Sequence, residues 1–119
     1  MKYLKYLFER IGFANQGIRF FFMNERNGQI QLALAILVIA FGIHYDLTRA
    51  EWSMIVVSIA LVLSLEMVNT AIEVLCNHIR PEKHEDIKKV KDVAAAAVWW
   101  SAVAALVIGG LVFYPYVFK

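Results

Sequence analysis

The stretch that decides the fold spans residues 66–92 and has the sequence EMVNTAIEVLCNHIRPEKHEDIKKVKD. It begins inside an apolar helix and ends in a charged connection. At about 100° per residue, Glu66, Asn69, Glu73 and Asn77 fall within an arc of roughly 80° on one side of that helix. The residues between them are mostly apolar and suit lipid or neighbouring helices. The stretch therefore predicts a membrane helix with a narrow row of polar residues, called the polar stripe below.

Two carboxylates and an amide on the polar stripe are suited to phosphoryl transfer. One acid would take a proton from a hydroxyl, the amide would orient a phosphate, and the second acid would hold a divalent cation. The same spacing also suits polar side chains that hold membrane helices together. The spacing alone leaves both interpretations open.

The composition places the chain among membrane proteins. It has 119 residues, of which 61% are hydrophobic, and a mean hydropathy of +0.59, which is too apolar for an ordinary soluble domain of this size. Residues 1–119 suffice for one compact domain of a few helices, so we expect an oligomer in which a site is shared between elements or subunits. The net charge is only +2, and the basic residues form no block, which argues against a nucleic-acid partner.

The apolar pattern predicts an all-α membrane protein with three transmembrane helices. Polar residues at helical spacing predict an amphipathic surface helix over about residues 2–22, and simple adhesion to the membrane would explain that pattern equally well. Long apolar segments predict spans over about residues 29–45, 52–78 and 93–117. Residues 82–91 are expected to form a hydrophilic connection between the second and third spans.

The charges of the connections predict the orientation. Basic residues concentrate before the first span and between the second and third, whereas the first loop offers only Arg49 and the carboxyl end only Lys119. The N-terminus and the second connection are therefore expected in the cytoplasm and the C-terminus outside. Glu66 lies 14 residues after Trp52, or about 21 Å along a helix. In a hydrocarbon core about 30 Å thick, this depth suits a reaction between a lipid hydroxyl and a soluble phosphate donor.

Two residues before the first span also have open roles. Glu25 precedes a long apolar run, where a carboxylate either caps a helix, which is the commoner case, or meets a metal. Arg10 lies off the polar side of the surface helix, so it is the residue of this helix most suited to bind a partner.

Two motifs together resemble those of the small prokaryotic diacylglycerol kinase and undecaprenol kinase family. They are EMVNTAIE, residues 66–73, and KDVAAAAV, residues 91–98. The resemblance extends to NERN, residues 24–27, and to Phe13-Ala14 with Gly17, so it covers nearly the whole chain. It implies a homotrimer of three-span subunits with surface helices, whose sites combine residues from neighbouring subunits. The chain agrees with this family in lacking the phosphate loop G-x-x-x-x-G-K-[ST].

The resemblance implies a lipid kinase that uses ATP and Mg²⁺ to phosphorylate the primary hydroxyl of undecaprenol or diacylglycerol at the cytoplasmic interface. Glu66 would be the general base and meet the lipid, and Asn69 would orient the γ-phosphate. Glu25 and Glu73 would hold Mg²⁺ against the ATP phosphates. The other residues implied to contact the nucleotide are Arg10, which would also contact the lipid, Phe13, Glu82, His84, Lys91 and Asp92.

The chain departs from the family pattern in three places, one of which is Lys88 and Lys89, where relatives often have smaller residues. Asn77 stands where many relatives have an aspartate, which leaves its role open. The family's amino-terminal arginine has no clear counterpart, because a gapless alignment places Tyr6 at that position. The nearby cations are Lys5 and Arg10, of which Arg10 is preferred.

The lipid substrate also stays open, although residues 24–27 lean towards the undecaprenol kinases. The alternative to an enzyme is a non-enzymatic membrane subunit or ion pathway that places Glu66 and Glu73 in a wet helix interface. Magnesium-dependent ATP consumption that requires an added lipid alcohol would distinguish the two.

Overall fold

The computed structural model describes residues 1–79 and 84–119. Within these residues the chain forms four α-helices, namely α1 (Lys2–Asn24), α2 (Arg26–His44), α3 (Arg49–Ile79) and α4 (Glu85–Val117). Helices α2, α3 and α4 are long and apolar enough to cross a membrane. The shortest of them, α2, has 19 residues and is about 28 Å long, close to the thickness of a hydrocarbon core. The all-α class with three apolar spans is thus confirmed for the described residues.

Helix α4 begins earlier than its apolar segment. It starts at Glu85, so residues 85–91 of the predicted hydrophilic connection are helical. The side chain of His84 caps the helix, because its Nδ1 accepts a hydrogen bond of 3.2 Å from the backbone N–H of Asp86. Two acidic residues in the first turn also favour a helix start, since they face the positive end of the helix dipole. The charged sequence of the first turns of α4 therefore did not predict that they are helical.

Helices α3 and α4 make the most extensive contact in the chain, and α2 packs on α3. A buried cluster of Leu47, Ile55 and Val112 lies where α3 begins and α4 ends. This cluster is at the opposite end of α3 from Glu73. It brings the two long helices together as an antiparallel pair.

A capping box starts α3 beside this cluster. The Thr48 N–H donates to Glu51 Oε1 at 2.9 Å, and the Glu51 N–H donates to Thr48 Oγ1 at 3.2 Å. This reciprocal pair satisfies two backbone donors at the helix start. The Tyr116 hydroxyl donates to the same Glu51 oxygen. The last turn of α4 is therefore tied directly to the first turn of α3.

A one-residue corner at Glu25 joins α1 to α2. The ring of Phe21 is buried and packs on Gly28, where an added Cβ would lie 2.5 Å from a ring carbon. Residue 28 must therefore be glycine for the two helices to meet this closely. Gln29 Nε2 donates to the carbonyl oxygen of Phe22 at 3.0 Å and bridges the same corner.

Large apolar side chains cover the outside of the apolar helices. Leu106, for example, is 77% exposed, and Trp100 and Leu111 are similarly exposed. A soluble monomer rarely leaves such surfaces in water. Lipid or other protein helices are the partners that suit these residues.

Candidate active site

The polar stripe lies on α3, which is continuous from Arg49 to Ile79. Glu66 is buried, with only 5% of its surface exposed, whereas Asn69 and Glu73 are half-buried and Asn77 is exposed. Asn69 Nδ2 donates to Glu73 Oε1 at 3.3 Å. The stripe therefore runs from a buried acid to an exposed amide.

Glu25 joins the acids of the stripe from the corner between α1 and α2. The Glu25 N–H donates to the carbonyl oxygen of Phe21 at 2.9 Å, and Phe21 lines one groove together with Thr70 and Val74 of α3. Glu25 occupies the N-cap position of α2, but its side chain makes no capping hydrogen bond. The structure thus gives no support to capping, the commoner interpretation of this residue, and leaves its carboxylate available to a ligand.

The oxygen of the Asn69 amide has no hydrogen-bond partner within residues 1–79 and 84–119. Asn69 Oδ1 is buried and accepts no hydrogen bond from the described part of the chain. An unsatisfied buried acceptor costs about 1–3 kcal/mol, so such atoms usually face a bound donor or cation. Because Nδ2 already donates one hydrogen to Glu73, only its second hydrogen is free to meet a phosphate oxygen.

These residues fit a magnesium ion shared with a nucleotide. Across residues 1–79 and 84–119, no group of three or more Asp, Glu, His or Cys side chains is arranged to hold a metal. Mg²⁺ is usually bound by one or two carboxylates together with substrate phosphates and water. Glu25 and Glu73 supply that number of carboxylates, and the Asn69 oxygen is a further suitable donor atom.

The residues expected to contact the nucleotide from α4 have different partners. Lys91 Nζ donates to Asn77 Oδ1 at 2.5 Å, which links the start of α4 to the polar stripe. Asp92 instead forms an ion pair of 2.7 Å with Lys88, and His84 caps α4 as described above. Glu82, the remaining expected contact in this region, lies outside the described residues.

The two residues expected to contact the nucleotide from α1 are exposed. Arg10 Nη1 donates to the Tyr6 hydroxyl at 3.3 Å, and the guanidinium carbon lies 5.5 Å from the centre of the same ring. Arg10 thus finds its partner one turn away on its own helix. Phe13 is 68% exposed. Both side chains are accessible to a ligand or a neighbouring subunit, and the fold of the described chain does not bury them with the acids.

The link between Asn77 and Lys91 had no signal in the sequence. The two residues are 14 positions apart on different helices, so helical periodicity relates neither to the other. The arrangement of α3 and α4 as an antiparallel pair is what brings them together.

Comparison with known proteins gives consistent matches over most of the chain. Residues 12–113 match the family described as prokaryotic diacylglycerol kinase. The undecaprenol kinase of Bacillus subtilis is 38% identical over 112 residues, which cover 94% of this chain and 91% of that protein. The diacylglycerol kinase of Haemophilus influenzae is 29% identical over 112 residues, covering 93% and 95%. The diacylglycerol kinase of Escherichia coli K12 is 26% identical over 96 residues, covering 81% and 79%.

The apolar helices and these matches define a multi-pass membrane enzyme, a lipid kinase that acts with ATP on a lipid substrate. The chain belongs to the prokaryotic diacylglycerol kinase family. The family resemblance inferred from the sequence motifs is thereby confirmed. Membership also favours the enzyme over a non-enzymatic membrane subunit.

Proposed function

We propose that the chain transfers the γ-phosphoryl group of ATP to the primary hydroxyl of undecaprenol or diacylglycerol at the cytoplasmic face of the membrane. The observation that carries the proposal is the buried Asn69 oxygen, which accepts no hydrogen bond within the described residues and lies between Glu66 and Glu73 on one helix. A magnesium nucleotide would supply a cation to this oxygen and to the carboxylates of Glu25 and Glu73.

Glu66 is the general base in this proposal. It is the most buried member of the polar stripe, and its depth in the membrane suits a hydroxyl at the headgroup level. Its carboxylate takes the proton of the lipid hydroxyl while the hydroxyl oxygen bonds to the γ-phosphorus and the bond to ADP breaks. The products are a phosphorylated lipid and ADP.

Glu25 and Glu73 hold the cation. Bound Mg²⁺ would offset the charge of the phosphate oxygens. The hydrogen bond from Asn69 orients the Glu73 carboxylate, and the second Nδ2 hydrogen is left for the γ-phosphate. The nucleotide would meet Lys91 at the start of α4, with His84 and Asp92 nearby in the sequence and Glu82, Arg10 and Phe13 as the remaining contacts.

A groove between α1 and α3 offers space for the lipid chain. Its volume is 790 Å³, and it is lined mainly by apolar residues, among them Ile18, Phe21, Met67 and Val74. Met67 and Val74 directly follow Glu66 and Glu73 in the sequence. A hydrocarbon chain in this groove would leave its hydroxyl close to the polar stripe.

The assembly is proposed to be a homotrimer with sites shared between subunits. The exposed apolar surface of α2–α4 leaves ample area for contacts between subunits, and exposed Arg10 and Phe13 are accessible to a neighbour. The N-terminus and the connection between α3 and α4 are placed in the cytoplasm because most basic residues outside the spans lie there.

The first experiment tests the reaction and the lipid together. We expect label from γ-labelled ATP to enter lipid only when Mg²⁺ and a lipid alcohol are both present in mixed micelles. In a competition between the two alcohols, we expect more label in undecaprenol, because residues 24–27 and the 38% identical relative both favour it. A preference for diacylglycerol would overturn the choice of lipid, and no lipid-dependent label with either alcohol would overturn the proposed reaction.

Loss of either metal-binding acid should raise the magnesium requirement. Glu25→Gln and Glu73→Gln keep the side-chain shape and remove the charge, so we expect about a tenfold higher Mg²⁺ concentration at half-maximal rate. The KM for ATP should rise more than the KM for lipid. Glu9→Gln, which removes an exposed acid from α1, is the control and should behave like the parent. Magnesium titrations of both variants that match the parent would show that these acids bind no metal.

A further inference from the structure

A threonine side chain borders both the polar stripe and the groove between α1 and α3. Thr70 is buried, with 7% of its surface exposed, and it lines that groove together with Met67, Ala71 and Val74 of the same helix. At about 100° per residue, Thr70 lies only about 40° round the helix from Glu66. The groove proposed for the lipid chain therefore meets the row of acids at this side chain.

The hydroxyl of Thr70 has no hydrogen-bond partner in the described part of the chain. It differs in this from the buried hydroxyls of Ser58 and Ser101, which donate to carbonyl oxygens of their own helices at 2.7 Å. A buried hydroxyl without a partner is unfavourable, so such a group usually faces water or a ligand. The Thr70 hydroxyl is thus available to a ligand that enters the groove.

The position of Thr70 along α3 places this hydroxyl between the proposed base and the proposed metal site. Thr70 comes four residues after Glu66 and three before Glu73, which is about 6 Å and about 4.5 Å along the helix axis. In the proposed reaction the lipid oxygen must reach both the Glu66 carboxylate and the γ-phosphorus of the nucleotide near Glu73. An oxygen bound to Thr70 would lie at a height between these two groups.

The bonding capacity of a primary hydroxyl matches these three neighbours. Its hydrogen donates to the Glu66 carboxylate, and its oxygen has two lone pairs. One lone pair forms the new bond to phosphorus, while the other can accept a hydrogen bond from Thr70. The Thr70 hydroxyl keeps its own proton throughout, so the only proton transferred is the one that Glu66 takes.

We propose that Thr70 positions the lipid substrate by donating a hydrogen bond to the oxygen of the primary hydroxyl, which turns the hydrogen of that hydroxyl towards Glu66. The inference rests on the proposed function, because it requires a lipid alcohol in the groove and Glu66 as its base. It gives Thr70 a role in the use of the lipid and none in holding Mg²⁺ or ATP.

The competing explanation is that Thr70 only fills space between α1 and α3. Two substitutions separate the explanations, because threonine carries a hydroxyl and a methyl group on the same carbon. Thr70→Val keeps the shape and removes the hydroxyl, whereas Thr70→Ser keeps the hydroxyl and removes the methyl group. A packing role predicts that valine is tolerated better than serine, and a role in positioning the lipid predicts the reverse.

The test is a measurement of steady-state kinetics in mixed micelles, with ATP and the lipid alcohol varied separately. We expect Thr70→Val to lower kcat/KM for the lipid about tenfold, the effect of losing one hydrogen bond between neutral groups. Thr70→Ser should stay within about threefold of the parent, because it keeps the donor. The KM for ATP should stay within about twofold of the parent in both variants.

Ser58→Ala is the matched control. It removes another buried hydroxyl from α3, one that is bonded to the backbone of its own helix and lies about 18 Å from Thr70 along the axis. Its kcat/KM for the lipid should stay within about twofold of the parent. Circular dichroism of Thr70→Val should match the parent, since valine suits an apolar groove.

The possible results separate this inference from the proposed function. A parental kcat/KM for the lipid in Thr70→Val, with an active parent chain, overturns the role of Thr70 and leaves the kinase reaction standing. Loss of helical structure in Thr70→Val, a similar rise in its KM for ATP, or a larger defect in Thr70→Ser would each overturn that role as well, because each indicates packing. A parent chain that phosphorylates neither lipid alcohol overturns both proposals.

Discussion

Glu66→Gln is expected to lower the rate of lipid phosphorylation by about 10²–10⁴-fold, the usual effect of losing a general base. Glutamine has nearly the same shape as glutamate, and a neutral amide is easier to bury than a carboxylate. The fold and the binding of ATP should therefore persist. The loss should appear in kcat, because the proton is transferred only as the lipid oxygen attacks phosphorus.

Two measurements make the Glu66 result specific. Glu51→Gln changes an acid on the same helix, about 22 Å from Glu66 along the axis, and should keep most of the parental rate. Circular dichroism and binding of a non-hydrolysable ATP analogue should show that Glu66→Gln remains folded and binds nucleotide. Turnover close to the parental rate in the purified variant would remove Glu66 from the role of base.

The second large effect is expected from mixing two inactive variants. Glu66→Gln lacks the proposed base but keeps the acids proposed to hold the metal, and Glu73→Gln has the reverse defect. If a site takes its base from one chain and its metal ligands from the neighbour, random mixing in a trimer gives some sites with neither defect. In an equal mixture, half of the chains keep Glu66 and the other half keep Glu73. About a quarter of the shared sites would then contain both residues, so the reassembled mixture should recover about a quarter of the parental activity.

The same experiment distinguishes a shared site from a site within one chain. Glu66 and Glu73 lie on one helix, with Asn69 between them hydrogen-bonded to Glu73, so a site within one chain is a real alternative. That alternative predicts no recovery, because every subunit would carry one defect of its own. Each variant reassembled alone is the control, and a tag pull-down should demonstrate that the subunits have exchanged. Exchanged mixtures that remain as inactive as either variant would refute the shared site.

Much of this architecture could be predicted from the sequence because the membrane leaves few choices. Long apolar segments must form helices in lipid, since every backbone polar group needs a partner there. Glu66, Asn69 and Glu73 could be placed on one face by the period of 3.6 residues alone. These are local properties, and a single segment of sequence contains them.

The features that escaped prediction depend on contacts between distant residues or on unusual local chemistry. The start of α4 was hidden because its first turns are as charged as a loop, and because histidine is not among the commonest N-cap residues. Whether Glu25 caps α2 could not be decided without its geometry, since the same position permits either role. The bond between Asn77 and Lys91 depends on how α3 and α4 pack, which no local pattern encodes.

The corner at Glu25 has a consequence for how the protein responds to the thickness of its bilayer. Because the Phe21 ring packs on Gly28 with no room for a side chain there, a change in the tilt of α2 would move the end of α1 with it. A bilayer that is thicker or thinner changes the tilt of a spanning helix, and here that tilt would pass to the surface helix and to the carboxylate at the corner. Membrane thickness would thereby affect the height of Glu25, the acid proposed to hold the cation.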